Sequence, residues 1–201
     1  MTHRHSTDKK MTKAESRREA SRCGEALAEI CLEEIPPRPA GKEDAGILLA
    51  EGDSWFDYPF YDVLGELEDR HGYEIYGNVA KRGDTIEDMA YDVNQLGKVA
   101  RMFQKVASRL RDEEGKPRAI LLSGGGNDIA GHELAVLLNH ARSGQPVLHD
   151  RIVRGVITER LALAMTTLVS AVTGLSQGYF GTKLPIVLHG YAHPVPDGRG
   201  Y

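Results

Sequence analysis

Four short apolar runs, each followed by a polar or glycine-rich turn, set the tightest limit on what this chain can fold into. The runs are Ile47–Ala50, Tyr73–Val79, Arg118–Leu122 and Leu184–Leu188. Between them the spacing of apolar residues predicts helices over Pro59–Arg70, Ile86–Leu110, near His132–Arg142, and over Asp150–Leu175. In the first of these, Phe60, Val63, Leu64 and Leu67 share one face, as a helix covering a core requires. Strands alternating with helices in this way predict a parallel sheet covered on both sides. The expected fold class is therefore α/β: a three-layer α/β/α, flavodoxin-like arrangement with a mostly parallel sheet. In such folds ligands gather beyond the carboxyl ends of the strands, near a switch in strand order. The turns EGDSW, GNVAKRGDT, SGGGND and HGYAHPVPDGRG, which hold the unusual residues, all fall at those ends.

The chain divides into two regions. Residues 1–45 read as a polar tail, a helix over Lys13–Glu34 with Ala20, Cys23, Leu27, Ile30 and Cys31 at helical spacing, and a Pro-rich linker. Residues 46–201 read as the α/β domain. A net charge of −4, with no basic concentration beyond the first eighteen residues, gives no reason to expect nucleic acid as a partner. Cys23 and Cys31 stand eight apart on one predicted helix, roughly 12 Å, too far to bridge each other. They read as small buried hydrophobes in a reduced compartment, and the expected location is cytoplasmic. No apolar run approaches the ~20 residues of a membrane span, and no signal peptide is seen.

Three of the turns carry residues suited to chemistry. Ser54, between a strand and a helix, is placed either to cap that helix or to serve as an exposed nucleophile with amides nearby. Gly83 precedes Thr85 and Asp88, which form a capping-box pattern, and a glycine there lets the backbone approach a ligand closely. Asn127 follows three glycines, and a neutral amide on a rigid turn suits the stabilisation of an oxyanion. Asp128 beside it is placed to orient the turn or to cap a helix. The glycine run lacks the Gly-Lys-Ser/Thr of a phosphate-binding loop.

Taken in order, Gly52-Asp53-Ser54, the glycine of Arg82-Gly83-Asp84-Thr85, and Gly125-Gly126-Asn127-Asp128 resemble the first three blocks of the SGNH hydrolases, also called GDSL-like esterases and lipases. The resemblance spans roughly Ile47 to Tyr191, with Trp55 where the family usually has leucine. It implies a nucleophile at Ser54 and an oxyanion hole made by the Ser54 amide, the Gly83 amide and the Asn127 side chain. It implies a small-molecule ester as substrate, hydrolysed through an acyl-enzyme, with no cofactor and no metal. The family's closing Asp-x-x-His block, which supplies the base, has no counterpart here. His193 precedes Pro194 as that block's histidine would, but Gly190 stands three residues before it. Two expectations follow: a chain lacking a final strand and helix, with weak or no turnover, or an atypical base at His193 oriented by Asp197.

Two other readings stay open. One is a non-catalytic binding module on the same fold. The other is a metal-dependent phosphoesterase, since Gly-Asp and Gly-Asn-Asp also occur in those enzymes; separately, His189, His193 and Asp197 stand at the spacings of four that metal ligands can show. A proline-containing loop does not keep helical registry, so ordinary loop residues are the better reading of these three, and His132 and His140 read as surface residues.

Overall fold

A computed structural model describes residues 45–59, 62–110, 115–130 and 136–190. All of them belong to one compact unit, Gly41–Gly190. The expected helix over Lys13–Glu34 with its two cysteines, and His132, His193 and Asp197, lie outside the described residues.

Among the described residues the sheet has four parallel strands: β1 (Gly46–Glu51), β2 (Tyr73–Asn78), β3 (Ala119–Leu122) and β4 (Ile186–Leu188), in the order β2-β1-β3-β4. The described helices are α1 (Val63–His71), α2 (Ile86–Tyr91), α3 (Val93–Arg109), α4 (Gly126–Ala130) and α5 (Asp150–Phe180). Chain order runs outward from β1 to β2, then crosses β1 to reach β3 and β4. The direction therefore switches between β1 and β3, where an open α/β sheet leaves a crevice at its carboxyl edge.

The pleat sorts side chains to two faces. Leu49, Ile120 and Leu122 point into a core built with Met89, Val99, Phe103, Val106, Leu168 and Val172 from α2, α3 and α5. Leu48, Ala50, Ala119 and Leu121 point the other way, toward Phe56 and Leu64. The result is the three-layer α/β/α architecture. Within the larger core, the buried Phe103 ring meets Phe180 at 5.7 Å and Tyr179 at 6.5 Å between centroids, which ties α3 to the end of α5.

Element boundaries follow local chemistry. α1 begins at Val63 rather than Pro59, because the Asp62 carboxylate accepts the Gly65 amide at 2.7 Å and caps the helix there. The expected helix over Ile86–Leu110 is two. Asp92 leaves helical geometry at φ −72°, ψ 114°, and its side chain accepts the Asn94 amide at 2.8 Å to start α3. Of the helix expected near His132–Arg142, the described residues from Val136 onward form turns instead. Their polar side chains bond the backbone locally: His140 Nδ1 accepts the Arg142 amide, Ser143 Oγ accepts the Gln145 amide, and Asn139 Nδ2 donates to the Pro146 carbonyl.

α5 runs to Phe180, five residues past the predicted end, and includes a π-helical stretch over Val153–Leu161. It is long and apolar enough, by length and composition alone, to cross a membrane. Thr, Ser and Gly interrupt its apolar residues, so a search for a continuous apolar run passes over it. Ala164, Leu168, Val172, Ser176 and Phe180, spaced by four, form its buried stripe. Ser176 does the joining at its end: Oγ donates to the Thr182 carbonyl at 2.6 Å and accepts the Leu184 amide at 2.7 Å, setting the entry to β4. Ser176→Ala strands both groups in a buried site and is expected to lower the unfolding free energy by about 1–3 kcal/mol, read from urea denaturation.

Candidate functional site

The turns after β1, β2 and β3 are laced to one another by hydrogen bonds. The Lys81 amide donates to the Gly52 carbonyl at 2.8 Å, and the Arg82 amide donates to Asp57 Oδ2 at 3.0 Å, joining the first turn to the second. Asn78 Nδ2 adds a bond to the Phe56 carbonyl at 3.0 Å. Asn127 Nδ2 donates to the Asp84 carbonyl at 2.9 Å, and both Asp128 oxygens accept the Ile86 amide, joining the second turn to the third. Asp128 thus caps α2 across space, not the helix that follows it in sequence. Burial is the main influence on its carboxyl, raising its pKa against the opposing pull of the Ile86 amide.

Ser54 opens a three-residue 3-10 turn, Ser54–Phe56. The cap of that turn is Asp53, whose Oδ1 accepts the Trp55 amide at 3.1 Å, so the capping role considered for Ser54 falls one residue earlier. Ser54 is half-buried, and no hydrogen bond to its hydroxyl is made among the described residues. Gly83 is exposed with φ +88°, a conformation that side-chain-bearing residues rarely adopt. The capping box after it is formed as read from sequence: Thr85 Oγ1 accepts the Asp88 amide, and Asp88 accepts the Thr85 amide. Donation from the Thr85 amide, and from the Thr85 hydroxyl, holds the Asp88 carboxyl below its usual range. Asn127 is partly buried, and its bond to Asp84 spends one of its two amide protons and fixes the direction of the other.

Gly83 also lines a polar cleft of about 230 Å³ with Asp84, Gln95 and Lys98; Ser54 and Asn127 do not line it. The hydrogen bonds bring the three turns together, whereas the cleft gathers only the second.

Two buried polar groups escaped the sequence reading. Glu51, the last residue of β1, is fully buried; Oε1 accepts Gln95 Nε2 at 2.8 Å and Oε2 has no partner among the described residues. Gln95 is itself satisfied, donating also to the Val79 carbonyl and accepting Lys98 Nζ. Burial pushes the Glu51 carboxyl up to about 8, outweighing the Gln95 bond, so it is chiefly protonated at neutral pH.

Ser123, at the end of β3, is the second. Its Oγ lies 2.7 Å from Asp53 Oδ1 and 2.8 Å from His189 Nε2, and the His189 ring also meets the Trp55 and Phe56 rings at 5.7 and 5.6 Å. The composition is that of a Ser-His-Asp triad, but the connectivity is not. In a catalytic triad the carboxylate bonds the histidine, and the serine meets substrate. Here the carboxylate bonds the serine, and Ser123 is only 1% exposed. The ordinary loop role expected of His189 gives way to a bonded position against the first turn. Its only sequence signal was a serine and a histidine each directly following a strand. Among the described residues, no group of three His, Cys, Asp or Glu side chains is placed to hold a metal ion.

Compared with models of known protein families and with curated proteins, the chain matches neither a family nor an individual relative.

Two predictions follow from the buried groups. The folded chain keeps a proton on Glu51 that the unfolded chain releases above about 4.5, so stability falls as pH rises from 4.5 to about 8 and levels off beyond. Glu51→Gln is expected to flatten that slope, gaining several kcal/mol over the parent at about pH 9 relative to pH 4 in urea unfolding. Gly52 sits where a Cβ would lie 2.7 Å from Ser123 Cβ and 2.8 Å from its carbonyl oxygen. Gly52→Ala forces β1 and β3 apart at their ends and is expected to cost about 1–3 kcal/mol in thermal or urea unfolding.

Proposed function

We propose that the chain is a serine hydrolase of the SGNH type acting on ester bonds, with Ser54 as nucleophile and the Ser54 amide, Gly83 amide and Asn127 side chain as oxyanion hole. The observation that carries this reading is the hydrogen-bonded lacing of the three turns at the carboxyl edge, beside the β1/β3 switch. It supports the reading because an oxyanion hole must be rigid before the reaction. Donors on three separate loops meet that need only if the loops are tied to one another. The half-buried Ser54 on a capped turn, the left-handed Gly83 and the oriented Asn127 amide each suit the role assigned.

In the reaction proposed, a base removes the Ser54 proton, Ser54 Oγ attacks the ester carbonyl, and the oxyanion forms against the three donors. Collapse expels the alcohol and leaves an acyl-serine, which water attacks in the same way to release the acid. His193, the base considered from sequence, lies outside the described residues.

A second reading, a ligand-binding module without catalysis, is favoured by one observation. Among the described residues no imidazole or carboxylate hydrogen-bonds the Ser54 hydroxyl.

An alkyl fluorophosphonate separates the two. Hydrolase chemistry predicts an adduct on Ser54 by peptide mass spectrometry, none in Ser54→Ala, and labelling slowed by ~10²–10³ in Asn127→Ala, the usual cost of one oxyanion donor. Labelling of Ser54→Ala at the parent rate, or no adduct on a parent chain that still binds the ester analogue saturably, would overturn the hydrolase assignment.

A further inference from the structure

The polar cleft of about 230 Å³ beside the second turn is lined in part by buried polar side chains. Gln95 and Asp84 are 3% and 4% exposed. Glu51 lies behind them: it bonds Gln95, and the charges of Asp84 and Lys98 reach its carboxyl. Gln95 is fully committed. Its two amide protons go to Glu51 Oε1 at 2.8 Å and the Val79 carbonyl at 2.9 Å, which turns its own Oε1 to Lys98 Nζ at 3.1 Å. An apolar side chain at position 51 would end β1 without the cost of a buried acid. What Glu51 adds is a fixed Gln95 amide and, through it, a held Lys98 ammonium at the cleft.

The cleft carries three cations, Lys81, Arg82 and Lys98, and three carboxylates, Asp84, Asp88 and Asp92. Lys81 and Asp84 pair at 2.8 Å. That bond, with the charges of all three carboxylates, raises the Lys81 pKa, so the carboxylates share its surroundings. Among the described residues Asp88 uses only Oδ2, for Thr85, and Asp92 only Oδ1, for the Asn94 amide, so each keeps an oxygen for another donor. The Arg82 guanidinium makes no hydrogen bond among them, and Lys98 Nζ bonds Gln95 alone. Spare donors and spare acceptors thus stand side by side, and the formal charges cancel. An ion of either sign would face three like charges, whereas a hydroxyl both donates and accepts and finds a partner of either kind. We propose that this cleft binds a neutral polyhydroxylated group, a single sugar ring, with Arg82 and Lys98 donating to its hydroxyls and Asp88 and Asp92 accepting from them. The cleft is smaller than the ~300–1,000 Å³ of a site for a whole drug-sized ligand, which suits one ring. Gly83 lines the cleft and supplies an amide to the proposed oxyanion hole, so the ring would be the sugar half of the ester. That last assignment rests on the hydrolase reading; the binding does not.

Arg82 and Lys98 are exposed, so Arg82→Met and Lys98→Met remove the donors with little expected effect on folding, which thermal unfolding checks. The probes are the methyl glycosides of glucose, galactose and mannose. At least one is expected to shift the backbone amide signals of Gly83, Asp92 and Lys98 saturably in NMR titration of the parent. Its affinity is expected to fall about 10-fold or more in each variant, the scale of one hydrogen bond to a charged group. No saturable shift with any of the three overturns the proposal. So does parent-like affinity in both variants, or tighter binding of acetate, phosphate or methylammonium at the same amides. For the ester, kcat/KM for the acetylated form of the bound sugar is expected to exceed that for ethyl acetate by about 10-fold or more. Both variants are expected to lose that preference while keeping ethyl acetate turnover and fluorophosphonate labelling of Ser54. Equal turnover of the two esters by the parent would overturn the substrate assignment. Glycoside binding by a chain that forms no Ser54 adduct keeps the site and sinks the hydrolase reading. An adduct without glycoside binding does the reverse.

Discussion

The hydrogen bond from Ser123 Oγ to Asp53 Oδ1 joins the ends of the two central strands at the one place where the sheet changes direction. β1 and β3 stay in register through Glu51 opposite Leu122, so the chain delivers Asp53 and Ser123 to the same level just beyond the last paired residues. Gly52 makes the approach possible, since any side chain there would collide with Ser123. Both partners are buried, which makes the bond costly to break and leaves it no competitor in water. That contact falls on Asp53, the residue that also caps the Ser54 turn.

Around this tie the carboxyl edge is unusually polar for buried structure. Glu51 and Asp53, two residues apart on the same strand end, solve burial differently. Asp53 receives donors from Trp55 and Ser123. Glu51 has one donor, Gln95, and keeps its proton. The pleat directs Glu51 toward α3, while Ala50 faces the smaller core beside Phe56. The apolar layers below make the platform rigid, and the polar groups above make it able to bind and orient. Asp128, Asn127, Asp57 and Lys81 extend the same network across the three turns, so displacing one loop strains the others.

Much of this was legible from local patterns. Short apolar runs identified the strands, helical spacing identified most helices, and Thr85 with Asp88 announced its capping box. Errors arose where short-range side-chain bonds competed with helix formation: Asp92 splitting one helix in two, and Asn139, His140 and Ser143 replacing another with turns. The three turns bearing Ser54, Gly83 and Asn127 could be located because they follow strands. Asp128 and Asp53 could not be assigned their caps, because Asp128 acts on a helix 42 residues away and Ser54 looked the better cap in sequence.

What the amino-acid order determined by itself was the class of fold and the end of the sheet where polar residues collect, since both arise from contacts between near neighbours in the chain. What only the tertiary structure decided was which of those residues touch. Ser123 meets Asp53 across 70 residues and His189 across 66, and no local pattern records either pairing. The pairings exist because β3 lies between β1 and β4 in matched register, and strand order is a property of the packed sheet.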